Sequence, residues 1–142
     1  MILPSGPTGY AFNRTRQAYL ATDLTVADSH WSRLRGLMLK DAQSFSPGQG
    51  LWIVPSRGIH TLAMRFPIDV VYLDREKRVV HLELDFQPWR MAPVKLQTAS
   101  VLELPSNTLG PSGTMIGDEV EIVRVGDPAV GQNPAMIRAI SI

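Results

Sequence analysis

The stretch Ile59-His60-Thr61-Leu62-Ala63-Met64-Arg65-Phe66-Pro67-Ile68-Asp69-Val70-Val71-Tyr72-Leu73-Asp74-Arg75-Glu76-Lys77-Arg78-Val79-Val80-His81-Leu82-Glu83-Leu84 decides the fold. It holds short apolar runs separated by Arg65-Phe66-Pro67 and by the charged run Asp74-Arg75-Glu76-Lys77, which suits a type I turn. Runs of this length, rich in β-branched residues and bounded by such breaks, read as strands. The stretch predicts a three-stranded antiparallel meander over 59–84. The turns set its register: Met64 faces Ile68, His60 faces Tyr72, Tyr72 faces Val79 and Val70 faces His81. His60, Val70, Tyr72, Val79 and His81 then share one face, with the two histidines roughly 10 Å apart across the sheet.

Upstream, Ala18–Ala27 alternates Leu20, Leu24 and Val26 with Asp23 and Thr25, the period of a half-buried strand. Asp28 suits an N-cap, and Trp31, Leu34, Arg35 and Met38 then line one face of a short helix. A polar loop around Ser46-Pro47-Gly48 leads to a strand at Leu51–Val54, closed by Pro55. Downstream, 86–98 reads as a long loop, Ser100–Leu104 as a strand, 105–117 as a wandering connection and Glu119–Val125 as a last strand. Asn133-Pro134 suits the start of a short terminal helix carrying Met136, Ile137 and Ile140. About seven short strands without βα repeats predict a mainly β protein. The expected form is an antiparallel β-sandwich, jelly-roll-like, or a partly closed barrel, with one short N-terminal helix. Residues 1–17 are expected to form an arm, 18–125 a single domain and 126–142 a tail.

Composition narrows the function. The chain has 142 residues, 44% hydrophobic and 19% charged, which excludes a disordered or long charged coiled-coil protein. Its 14 basic and 13 acidic residues are scattered and give a net charge of +1. No basic face is formed, so no nucleic-acid partner is expected. The absence of cysteine excludes disulfides, iron–sulfur clusters and thiol nucleophiles. His30, His60 and His81 form no HxH or HExxH pattern, so no metal is expected. Gly48-Gln49-Gly50 lacks the third glycine of a dinucleotide loop, and Gly110-Pro111-Ser112-Gly113 has the wrong spacing for a nucleophile elbow, so no cofactor is expected either. Met1–Gly9 has neither a basic nor an apolar segment of an export signal. A cytoplasmic protein with no membrane partner is the expectation.

A few residues stand out chemically. Arg35 sits on an otherwise apolar helix stripe. Either its stem covers the core edge while the guanidinium reaches water, or the charge turns inward and pairs with a carboxylate. Asp69 and Glu103 are the candidates, since each interrupts an apolar strand. The same two carboxylates, with His60, would supply an acid–base pair. Trp52 and Tyr72, with His60, would suit a ligand-binding face.

In order and spacing, Arg35-Gly36-Leu37-Met38, Gly50-Leu51-Trp52-Ile53, the run from Ile59 to Asp74, Val101-Leu102-Glu103-Leu104-Pro105 and Gly117-Asp118-Glu119-Val120 resemble the prokaryotic family of unknown function DUF192 over about residues 18–125. The resemblance implies a mainly antiparallel β-sandwich of jelly-roll type. It implies no activity, substrate or catalytic residue. It also implies a short helix where this chain reads Gly110-Pro111-Ser112-Gly113. The leading functional expectation is a module binding a small molecule, carbohydrate-like in kind, through Arg35, Trp52, His60, Asp69, Tyr72, His81 and Glu103. The alternatives are a small hydrolase or lyase using the carboxylates and a histidine, or a structural interaction domain. The expected partners are a small-molecule ligand and, in a homodimer, a second copy of the chain.

Overall fold

The computed structural model describes residues 9–27, 45–58 and 65–124. Seven strands are formed: β1 (Gly9–Asn13), β2 (Ala18–Ala27), β3 (Gln49–Ile53), β4 (Ile68–Leu73), β5 (Val79–Phe86), β6 (Ser100–Pro105) and β7 (Val120–Val123); a four-residue helix, α1 (Leu109–Ser112), precedes β7. They make one sheet in the order β5-β4-β6-β3-β2-β1-β7, in which only the β2–β3 pair is parallel. The sheet curls into a half-barrel. Its edge strands meet at one end, where Arg78 bridges Glu119, the Val79 amide donates to the Asp118 carbonyl (2.8 Å) and the Val120 amide to that of Lys77 (2.9 Å). Of the two expected forms, the partly closed barrel matches; among the described residues there is no second sheet to complete a sandwich. Curling lets one sheet enclose its own apolar face.

The helix expected over Trp31–Met38, the strand at Ile59–Met64 and the terminal helix lie outside the described residues. Among those described, the helix is α1, late in the chain, at Gly110-Pro111-Ser112-Gly113. Pro111 falls in its first turn, where no intrahelical amide bond is lost, and Gly113 (φ 70°) closes it in the left-handed conformation. Part of the expected arm is in fact β1, whose five residues are all buried.

The central strands β4 and β6 are buried at every position, so alternation is hidden in them. Their faces separate by parity. Val71, Leu73, Leu102 and Leu104 point inward with Leu20, Leu24, Trp52 and Leu109. Ile68, Val70, Tyr72 and Val101 point outward, covered by Phe45, Phe66 and Ala92. Gly50 faces inward at the parallel β2–β3 contact, where a Cβ would lie 2.7 Å from that of Ala21 and 3.2 Å from Leu104 Cδ2. Gly50→Ala is therefore expected to cost about 1–3 kcal/mol by overpacking. Urea denaturation measures it, and a loss below about 0.5 kcal/mol would contradict this packing.

The meander expectation is corrected in two respects. The hairpin joining β4 to β5 is present, but β4 has β6 along its whole other edge, so no place beside β4 remains for a strand from 59–64. The register also differs: Tyr72 pairs with His81 and Leu73 with Val79, rather than Tyr72 with Val79 and Val70 with His81. The cause lies in the turn. Lys77 adopts φ 62°, the Lys77 amide donates to the Asp74 carbonyl, and Asp74 Oδ1 accepts the amides of Glu76 and Arg78. A type I turn followed by a left-handed residue adds a position to the loop. A bulge adds another on β5 and carries Val79 to the inner face.

A polar knot holds the loop before β7. Asp118, 3% exposed, accepts at Oδ2 from Asn13 Nδ2 (3.0 Å), Arg16 Nε (3.0 Å) and the Met115 amide (2.9 Å). Burial alone would raise the Asp118 carboxyl, but the hydrogen bonds from Arg16, Asn13 and Met115 outweigh it and hold the group below its ordinary value of 3.8. A carboxyl lowered on folding adds stability above its unfolded value, and that contribution disappears as pH falls through the folded value. Stability should therefore decline as pH drops below about 4, with a shallower decline in Asp118→Asn. Denaturation midpoints between pH 2 and 7 test this; parallel curves for the two proteins would contradict it.

Candidate functional site

The seven candidate residues do not converge on one site. Arg35 and His60 lie outside the described residues. Asp69 points inward and is 1% exposed; its Oδ2 accepts the amides of Thr108 (2.9 Å) and Leu109 (2.8 Å), and its Oδ1 that of Asp85 (2.9 Å). It fastens the start of α1 and the end of β5 to the start of β4. Glu103, 3% exposed, lies on the opposite face between Leu51 and Val70. The sheet stands between these carboxylates, so they do not form an acid–base pair. Trp52 also points inward, packed in the inner core with Lys77 Nζ 5.8 Å above its ring. It shares no surface with Tyr72, and a ligand face built from both is ruled out.

Tyr72 and His81 do come together on the outer face. Their rings meet edge-to-face at 4.9 Å, and His81 Nε2 lies 2.9 Å from Glu83 Oε1. Glu83 is two residues beyond His81, the spacing that keeps both on one face of a strand. The Tyr72 hydroxyl donates to the Pro93 carbonyl at 2.7 Å. Burial foremost, and then the charge of Glu83, push its phenol well above the usual tyrosine range, so Tyr72 is a neutral anchor. What it anchors is the 87–98 loop.

That loop forms one wall of a cleft of about 390 Å³ lined by Pro55, Ser56, Arg57, Arg75, Leu96, Gln97, Thr98 and Ala99. The cleft lies where β3, β6 and β4 end side by side. The Ser56 amide donates to the Ala99 carbonyl (2.9 Å), the Ala99 amide to that of Leu73 (2.8 Å) and the Lys95 amide to that of Arg57 (3.3 Å). Among the described residues, the lining includes two arginines and no acidic residue. Neither the Arg57 nor the Arg75 side chain has a hydrogen-bond or ion-pair partner among the described residues. The Thr98 hydroxyl, in a residue 4% exposed, also lacks a hydrogen-bond partner among them. The arrangement offers donors and positive charge without an acidic side chain among the described residues to balance them. Sequence reading missed it because Arg57 and Arg75 each sit in a turn, where no periodicity carries information about tertiary neighbours.

A second hollow, about 280 Å³, is lined by Asp69, Leu84, Asp85, Ser106, Asn107 and Gly110. Its carboxylates are already engaged: Asp69 by three amides, Asp85 by Ser106 Oγ (2.6 Å) and Gln87 Nε2 (3.1 Å). Among the described residues no group of three or more metal-ligating side chains is found, and no helix is long and apolar enough to cross a membrane.

Comparison with known proteins agrees with this fold. The chain is 30% identical to a UPF0127 protein of Thermococcus sibiricus over 114 residues, covering 77% of this chain and 71% of that one. It is 30% identical to a UPF0127 protein of Pyrococcus abyssi over 119 residues, covering 80% and 97%. A crystal structure of a protein of unknown function from Novosphingobium aromaticivorans superposes with a TM-score of 0.67 at 17% identity, over 85% of this chain and 91% of that one. The sequence profile of DUF192, described as "Uncharacterized ACR", matches residues 11–122, nearly the whole half-barrel, and the chain belongs to that family.

Proposed function

We propose that the protein is a small-molecule-binding module and that its ligand presents an acidic group to Arg57 and Arg75. The observation that carries this reading is the pair of arginines lining one cleft, with no acidic residue among the described residues of its walls. Guanidinium forks match the geometry of carboxylate and phosphate oxygens. At about 4 Å, each charge pair contributes on the order of 1 kcal/mol in water and more where the walls displace water. Strengthened to about 2 kcal/mol each by that exclusion of water, two such contacts support a Kd for inorganic phosphate on the order of 1 mM. A neutral sugar, the carbohydrate-like ligand expected from sequence, would leave both charges unanswered, so an acidic ligand is favoured.

Thermal denaturation in the presence of inorganic phosphate, citrate and neutral sugars at matched ionic strength tests this. At ten times Kd, binding adds about 1.4 kcal/mol, or roughly 3–8 °C in Tm. Phosphate and citrate should produce such a shift, neutral sugars should not, and Arg57→Ala/Arg75→Ala should abolish it. Equal anion-induced shifts in the wild type and the double variant would mean general salt stabilisation and would overturn the reading.

A further inference from the structure

Resting on that anion site, we infer that the ligand is an amphiphile, with a phosphate or carboxylate head between Arg57 and Arg75 and an aliphatic chain laid along Val94 and Leu96. The loop that walls the cleft carries large apolar side chains turned to solvent: Leu96 is 83% exposed, Met91 77%, Trp89 67% and Val94 65%. Single exposed apolar residues are ordinary, but four within one short loop are not. Two of the four, Leu96 and Val94, adjoin the charged cleft. Leu96 lines the cleft itself. Val94 lies against Gly58, the residue after Arg57, where an added Cβ would stand 3.6 Å from Val94 Cγ2. The loop is also held in place at Pro93 by Tyr72 and at Lys95 by the Arg57 carbonyl and the Thr98 amide. Positive charge at one end and exposed aliphatic surface beside it are complementary to an acidic head on an apolar chain. A compact polyanion would use only the first.

Calorimetry with decyl phosphate below its micelle concentration, inorganic phosphate and neutral decyl glucoside separates these terms. Decyl phosphate should bind at least tenfold more tightly than inorganic phosphate, and decyl glucoside far more weakly than decyl phosphate. Val94→Ser, at an exposed position that does not line the cleft, should bring decyl phosphate down toward the affinity of inorganic phosphate and leave the latter unchanged. Arg57→Ala/Arg75→Ala should remove both. If inorganic phosphate binds and the decyl chain adds nothing, the amphiphile inference fails while the anion site stands. If neither probe binds, both fail. Equal binding of decyl glucoside and decyl phosphate would overturn the role of the head group. Binding to vesicles of phosphatidylglycerol without binding to monomeric decyl phosphate would overturn the inference in favour of a membrane surface.

Discussion

Asp69→Ala is expected to destabilise the protein by about 3–5 kcal/mol, because three amide donors lose one buried acceptor. The amides of Asp85, Thr108 and Leu109 all converge on this carboxylate. A stranded buried donor costs about 1–3 kcal/mol. The total falls short of three times that figure, since the neighbouring hollow of about 280 Å³ admits water to part of the gap. Asparagine recovers little, as its amide nitrogen turns a donor toward donors. The expected loss is a large share of the roughly 5–15 kcal/mol available to a domain of this size. Chemical denaturation measures it. A loss under about 1 kcal/mol for Asp69→Ala would mean that α1 and the end of β5 do not depend on this carboxylate.

We propose that Arg35, which lies outside the described residues, pairs with Glu103; on that proposal Arg35→Met is expected to cost about 3–5 kcal/mol. Of the two carboxylates that interrupt apolar strands, Asp69 is committed to backbone amides on the inner face. Glu103 remains as the proposed partner, 3% exposed between Leu51 and Val70. A carboxylate buried so deeply needs a countercharge, and breaking a buried pair strands the other charge. Methionine keeps most of the arginine stem, so packing loss stays small. A double-mutant cycle with Glu103→Gln should give a coupling energy above about 1 kcal/mol. A cost below about 1 kcal/mol with additive double mutants would show that Arg35 only covers the core edge.

The legible parts of the fold are those where a local pattern is bounded by local signals. β2 runs from Ala18 to Ala27, as its alternation predicts, and β4 from Ile68 to Leu73, between Pro67 and the Asp74 turn. β1 was invisible because its five residues are all buried, which erases alternation, and because glycine and proline precede it. The parallel pairing of β2 with β3 is a choice between distant partners, and nothing in either strand encodes it. The hairpin register slipped because the left-handed Lys77 and a bulge on β5 add residues to that side, features that a count of turn residues does not register. The site suffered from the same limits. Asp69 and Glu103 were conspicuous as carboxylates within apolar strands, but their parity places them on opposite faces. Tyr72 and His81 were rightly assigned to one face, with Glu83 overlooked beside them. Arg57 and Arg75 line one cleft because three strand ends lie side by side.

The anion site is tested most directly by following backbone amide resonances during titration with inorganic phosphate. Shifts are expected to saturate with a single Kd on the order of 1 mM and to concentrate at Ser56, Arg57, Arg75, Gln97, Thr98 and Ala99, the residues that line the cleft. The same titration of Arg57→Ala/Arg75→Ala should leave those resonances in place. Shifts that rise linearly without saturating, or that concentrate around His81 and Glu83 instead, would contradict the assignment of this cleft as the binding site.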